Sequence, residues 1–266
     1  MEILILASGS KGNAISITNQ NRHILVDVGI SYQSLKNKLL IENINIDEID
    51  SILITHEHYD HIRGLKQFLK QHPYVKIYLT KGTYDVIPND IKKLITKYEF
   101  IKDLNNFEIN NLTITPYMLS HDASEPVGFV INNETKKMVI ATDTGYIDET
   151  YFDLLKNADL YILESNHCPK ILMDSRRPFH LKKRIIGEKG HLSNDEASWL
   201  INEFIKEKDE VIWAVAHISE ECNTQLSIEK SIVKILDDPT KITLKMTSQE
   251  TTEKIVLWLK LLQLVK

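Results

Sequence analysis

The sequence predicts a layered α/β domain, and three observations predict it. Short apolar runs rich in Ile, Leu and Val, bounded by polar or turn residues, recur along the whole chain and read as strands. Between them, apolar residues recur at helical spacing. At one point a strand-like run, Ser51-Ile52-Leu53-Ile54, leads directly into Thr55-His56-Glu57-His58-Tyr59-Asp60-His61 and then into a helical pattern.

In chain order, the first strand-like runs cover residues 2–6, 15–18, 23–27, 51–54 and 75–79. The helical pattern that follows the His/Asp cluster rests on Ile62, Leu65, Phe68 and Leu69. A second series of strands covers residues 112–119, 127–131, 138–141, 160–163, 211–216, 242–246 and 254–259. The best helical pattern spans residues 194–206, with Ala197, Leu200, Ile201, Phe204 and Ile205 on one face. Ser193 and Glu196 have the spacing of a capping box at its start. Another helix is expected over residues 225–236. Periodicity alone leaves open whether the strands form two facing sheets.

At 266 residues the chain has room for a large core, as one α/β domain or two small ones. No Pro/Gly/Ser-rich linker and no solenoid repeat divides it. A net charge of −5 argues against a uniformly basic surface that coats nucleic acid, though not against a local basic patch. Cys168 and Cys222 are too few for a zinc ribbon or a disulfide framework and are expected as free thiols in a reducing cytoplasm. The segment Met1-Glu2-Ile3-Leu4-Ile5-Leu6-Ala7 lacks a basic leader, so it reads as a first strand rather than a signal peptide. The apolar run over residues 255–264 is interrupted by Lys260 and is too short to span a bilayer, so no membrane segment is expected.

The cluster at 55–61 has the spacing H-x-H-x-D-H. A strand end fixes the backbone there, so three imidazoles and a carboxylate are offered together. Such donors suit zinc, manganese or iron, whereas calcium and magnesium prefer all-oxygen shells. The competing reading, a His-rich surface loop, fits poorly with a chain whose 10 His are otherwise scattered. Three further metal-competent side chains each follow an apolar run: His121, Asp143 and His217. Singly, each is more often an ordinary satisfied residue than a ligand. Together they supply the two His and one carboxylate that complete a binuclear site begun by His56, His58, Asp60 and His61. Such a site wants one bridging carboxylate, and Asp143 is the candidate. Asp27 also ends a strand, and is expected to orient a ligating His ring.

In these residues the chain resembles the metallo-β-lactamase-fold hydrolases. Their T-H-x-H-x-D-H is followed by a separate His, a bridging Asp and a last His, each at a strand end. The resemblance runs in order through Asp27, Thr55 to His61, His121, Asp143 and His217. It implies a four-layer αβ/βα sandwich, with the site at one edge of the paired sheets and residues 1–266 forming a single hydrolase domain. It implies two divalent metal ions, zinc or manganese, with iron also accepted. His56, His58 and His121 would hold one, Asp60, His61 and His217 the other, and Asp143 would bridge. Segments 7–13, 120–128, 142–146, 164–167, 190–194 and 217–223 are similar to the YycJ/WalJ-like exonuclease branch. That branch implies a cytoplasmic 5′→3′ DNA exonuclease, with DNA favoured over RNA as partner. Cys168 departs from the branch, where an acidic residue is expected after Asn166-His167.

The chemistry expected of such a site is hydrolysis of a phosphodiester by a hydroxide that the two ions activate. Asp60 orients the hydroxide while ligating. His191, just before the helix capped by Ser193, protonates the leaving oxygen, and the helix N-terminus suits an anion. His167 is a second candidate for that role. Arg176, Arg177, Lys182, Lys183 and Arg184 surround Phe179, and Lys189 follows; this patch could track a phosphate backbone. A solvated charged helix is the competing reading. Ser8, Gly9, Ser10, Gly12 and Asn13 form a loop expected to line the same cleft. The alternative function is a small-substrate hydrolase of the same fold, a cyclic nucleotide phosphodiesterase or a thioesterase. A β-lactamase would place Cys where Asp143 stands. Metal identity and oligomeric state are not legible in the residues.

Overall fold

The computed structural model describes residues 1–257. Its first half contributes β1 (Glu2–Ala7), β2 (Ala14–Asn19), β3 (Arg22–Val26), β4 (Ile49–Leu53), β5 (Lys76–Leu79) and β6 (Tyr98–Phe100) to one sheet. A second sheet holds β7 (Phe107–Ile109), β8 (Leu112–Met118), β9 (Val127–Asn132), β10 (Lys137–Ala141), β11 (Leu160–Glu164), β12 (Val211–Ala216) and β13 (Ile242–Met246). The chain then returns to the first sheet, where β14 (Glu253–Val256) pairs antiparallel with β1. Both sheets follow one plan. Strands β3 to β6 run parallel, as do β10 to β13, and the remaining neighbours are antiparallel.

Alternation along the strands makes the layers. Ile3 and Ile5 face Ile114, Phe129, Ile131 and Ile140 in a core between the sheets. Leu4 and Leu6, one residue out of phase, face the other way into a core beneath helices. Because both faces are covered, the strands read as unbroken apolar runs. On the first sheet lie α1 (Tyr32–Ile41), α2 (Tyr59–Ile62), α3 (Leu65–Gln71), α4 (Lys81–Val86) and α5 (Asn89–Lys92), with Leu35, Leu39, Leu65 and Phe68 buried against it. In the second half come α6 (Phe152–Leu155), α7 (Pro169–Asp174), α8 (Phe179–Ile186), α9 (Asn194–Phe204) and α10 (Gln225–Ile235). Of these, α6, α9 and α10 cover the second sheet through Leu155, Leu200, Ile201, Phe204 and Ile228. The result is the four-layer sandwich that the family resemblance implied.

Two differences from the sequence reading have physical causes. Strands β6 and β7 were not foreseen: each is three residues long at a sheet edge, and β6 is exposed throughout, so no apolar run marks it. The helix expected from Ile62, Leu65, Phe68 and Leu69 is two helices, α2 and α3. The chain breaks at Gly64, whose N–H donates to Val28 O at 2.8 Å; a Cβ there would stand 2.2 Å from Ile30 O. The last expected strand is found at Glu253–Val256; its residues 258–259, and 258–264 of the C-terminal apolar run, lie outside the described residues. The capping box does form: Ser193 N–H donates to Glu196 Oε2 (2.8 Å) and Glu196 N–H to Ser193 Oγ (3.3 Å). No helix among the described residues is long and apolar enough to cross a membrane.

The second sheet's outer core depends on α9. Phe204 is fully covered, stacked on Tyr161 at 5.8 Å and edge-on to Phe152 at 5.2 Å. Phe204→Ala should therefore cost about 3–5 kcal/mol. Val233→Ala, on the exposed face of α10, should stay within about 0.5 kcal/mol. Urea unfolding of the two variants checks the contrast.

Candidate metal centre

Parallel neighbours β3 and β4 end side by side, and the segments that follow them are joined through the Asp27 carboxylate. Thr55 donates its N–H to Asp27 Oδ1 (2.9 Å) and its hydroxyl to Asp27 Oδ2 (2.7 Å). His61 Nδ1 lies 2.7 Å from the same Oδ2. Having given its proton to Asp27, the Thr55 hydroxyl oxygen is left to accept from His56 Nδ1 at 3.0 Å. These bonds select ring orientation and tautomer, so both histidines present Nε2 to the crevice. Asp27 thus takes the ring-orienting place the sequence suggested for it. His121 is held in the same manner, with Nδ1 3.2 Å from Gly190 O.

From the second sheet, β10 and β12 deliver Asp143 and His217. Asp27, Asp143 and His217 all have positive φ, at 60°, 61° and 50°. That left-handed conformation turns each side chain off its strand and into the gap between the sheets, at a backbone cost the surrounding structure must sustain. Three groups of donors converge there: His56 with His58 and His121, His56 with His61 and Asp143, and Asp143 with His191 and His217. Asp143 Oδ2 is 3.1 Å from His61 Nε2, and Oδ1 is 3.2 Å from His217 Nε2. Asp60 Oδ2 stands slightly further out, 3.7 Å from His61 Nε2 and 3.8 Å from His217 Nε2.

All seven expected ligands are therefore brought to one place. Proximity is not pairing, however: Asp143 Oδ2 and His217 Nε2 are buried and neither has a partner at hydrogen-bonding angle. A buried carboxylate oxygen and ring nitrogen aimed at shared space rather than at each other are costly unless a cation satisfies both. The donor set fits a transition-metal ion.

The electrostatics agree. Burial opposes ionisation of Asp143, but His217 and His61 outweigh it and hold its carboxyl well below the usual range. Burial likewise opposes charge on His61, yet Asp27 and Asp143 hold its pKa well above that of a free imidazole. His217, against the same burial, is raised to about 9 by Asp143 and Asp60. His56 goes the other way, pushed well down by burial and by His61. In the absence of an ion, protons on His61 and His217 balance the carboxylates, and a metal would displace them.

One carboxylate was missed. Glu164, at the end of β11, is completely buried, and its Oε2 lies 3.0 Å from His191 Nδ1. The strand-end pattern that identified Asp143 applies to it equally. His191 stacks on His217 with ring centres 4.9 Å apart, so it stands at the centre itself. A buried amide network joins the segments behind it. Ser165 Oγ donates to Asn194 Oδ1 (2.7 Å), Asn194 Nδ2 to Asn223 Oδ1 (2.9 Å) and Asn223 Nδ2 to Ser165 O (2.8 Å). His167 is also buried, with Nδ1 unpartnered; burial first and His191 second lower its pKa to about 4. The loop after β1 does reach the cleft: Ser8 Oγ accepts from His217 N–H (2.9 Å), and Asn13 Nδ2 lies 3.0 Å from His61 Nε2.

The basic patch is less free than its composition suggests. Arg184 pairs with Asp122 at 2.6 Å, Arg177 with Glu221 at 2.9 Å, and Lys182 turns inward to the carbonyls of Met173 and Ser175. Asp122 in turn lies 3.3 Å from His121 Nε2, so the Arg184 pair fixes α8 beside the centre.

Comparison with known proteins agrees with this geometry. The description of a beta-lactamase superfamily domain matches residues 22–208. The chain is 29% identical over 235 residues to the exodeoxyribonuclease YycJ of Bacillus anthracis, covering 88% of each chain. It is 31% identical over 222 residues to the exodeoxyribonuclease WalJ of Streptococcus pneumoniae, covering 82% of each. In three dimensions it is similar to the metallo-beta-lactamase fold protein YhfI of Bacillus subtilis, with a TM-score of 0.71 at 15% identity over 95% of this chain and 98% of that one.

Two substitutions probe the scaffold around the donors. Asp27→Ala frees the His61 ring and should lower metal affinity about 10- to 100-fold. Gly29→Ala would set a Cβ 1.7 Å from Asp60 O and 2.5 Å from Asn13 N, both backbone atoms, so the 60–61 segment must move and metal binding should be lost. Competition against a chromophoric chelator measures both; wild-type affinity in either variant would contradict the assignment.

Proposed function

The chain belongs to the metallo-β-lactamase-fold hydrolases, in the branch of YycJ and WalJ, and from that premise we propose that it is a nuclease, specifically a 5′→3′ DNA exonuclease. It is a metal-dependent hydrolase. The observation that carries the nuclease reading is the bond from the buried Glu164 to the half-buried His191, set against the donor cluster. A proton source beside a metal centre is what departure of a phosphodiester's leaving oxygen requires. The names of the two relatives support DNA as the polymer.

In this reading residues 1–266 act as one hydrolase domain. His56, His58 and His121 would hold one ion and Asp60, His61 and His217 a second, and Asp143 would serve both. Two divalent ions, zinc or manganese, would supply Lewis acidity toward the phosphoryl oxygens and lower the pKa of water toward neutrality. Asp60, partly open to solvent, orients the attacking water. Glu164 accepts from His191 Nδ1, which leaves Nε2 to hand a proton to the leaving oxygen. Arg176, Lys183 and Lys189 have no acidic partner among the described residues and offer charge to the phosphate backbone.

End-labelled single- and double-stranded DNA with manganese tests the reading. His58→Ala and Asp143→Ala should lose metal and cleavage together. His191→Ala should keep its metal, by elemental analysis, and lose about 10²- to 10⁴-fold in turnover. Absence of cleavage with any metal, beside turnover of a cyclic phosphodiester or a thioester, would establish the small-substrate alternative instead.

A further inference from the structure

Two side chains beside the centre take no part in it. Tyr59 stands between His58 and Asp60 and begins α2. The residues after it turn inward: Asp60 approaches His61 and His217, while His61 and Ile62 are buried. Tyr59 is left outside, 72% exposed. One helical turn on, Arg63 is exposed as well, with its guanidinium carbon 5.9 Å from the centre of the Tyr59 ring. Among the described residues Arg63 has no acidic partner and its guanidinium donates to no acceptor.

A lone exposed aromatic would need no explanation. Here an exposed ring and an unpaired planar cation share the outer face of the short helix whose inner face presents the donors. The other variable position of the motif behaves differently. Glu57 folds back, and its Oε1 accepts from Ser124 N–H at 2.8 Å.

We infer that Tyr59 and Arg63 form a nucleotide subsite, in which the ring stacks on an unpaired base next to the scissile phosphodiester and the guanidinium pairs with a flanking phosphate. The inference rests on the nuclease reading and deepens it. Every base has a π face, so such a subsite tolerates any sequence. It does require a base already out of its duplex, because a paired and stacked base offers no free face. The substrate class is therefore a single-stranded or frayed end, and a blunt duplex must open before it is used. Arg63 adds a contact with a phosphate, which makes part of the affinity salt-dependent.

The test uses the full chain loaded with manganese and three substrates: a single strand, the same strand with an abasic terminal nucleotide, and a blunt duplex. Binding is read on an uncleavable phosphorothioate strand carrying terminal 2-aminopurine, whose fluorescence reports stacking. Cleavage is read separately as KM and kcat, and metal content is measured in parallel. Tyr59→Ala should weaken binding to the intact strand and raise its KM about 5- to 100-fold. Tyr59→Phe, which keeps the ring, should restore most of that loss. On the abasic strand wild type and Tyr59→Ala should converge, because the partner of the ring is gone. Arg63→Gln should lower the slope of log Kd against log salt by about 1. The subsite is overturned if Tyr59→Ala matches wild type on the intact strand, keeps its deficit on the abasic one, or loses metal. Wild-type protein that neither binds nor cuts any strand overturns the nuclease reading and the subsite with it, which separates the two failures.

Discussion

The Asp27 carboxylate is saturated by the Thr55 amide, the Thr55 hydroxyl and the His61 ring, and the rest of the centre depends on that arrangement. It joins the ends of two parallel strands and fixes where the histidine-rich turn begins. It also orients the His61 ring and, through the Thr55 hydroxyl, that of His56. With β3 and β4 buried on both faces, the carboxylate cannot move without disturbing the sheet. Close packing then extends the constraint: Gly29 lies so near the Asp60 carbonyl that no side chain fits between them.

Across the crevice the constraint is one of charge. Asp143 is buried among histidines that differ in their hold on a proton: against burial, carboxylates raise His61 and His217, whereas burial and His61 push His56 down. The left-handed backbone at Asp27, Asp143 and His217 places them there, at strand ends where the ladder no longer dictates direction. Strain of this kind is retained where it organises a site. Among the buried polar atoms without partners, Asp143 Oδ2 and His217 Nε2 belong to this donor cluster.

Around this centre the two halves of the molecule contribute differently. The first sheet supplies a dense, sequence-local cluster on one turn. The second supplies single residues on separate strands, and these need their own bracing. Ser165, Asn194 and Asn223 tie together the segments bearing Glu164, His191 and His217. Arg184 and Asp122 anchor α8 beside His121, which removes a charge from the patch while positioning the others.

By itself the sequence determined the longer strands, the capping box and the candidate donors. Each of these is a local matter. A strand buried on both faces must be apolar along its length, a cap is closed within four residues, and H-x-H-x-D-H lies on one turn. It even placed His121, Asp143 and His217 at strand ends, because an apolar run followed by a polar side chain is visible without coordinates. Tertiary structure decided what is not local. His61 meets Asp143 from the opposite sheet, Glu164 holds His191, and Arg184 is neutralised by a carboxylate far from it in the chain. The helix after the cluster breaks because Gly64 packs against Val28 and Ile30, not because its own sequence forbids a longer helix. Strands β6 and β7 owe their conformation to the sheets they border, since their few residues carry no period long enough to read.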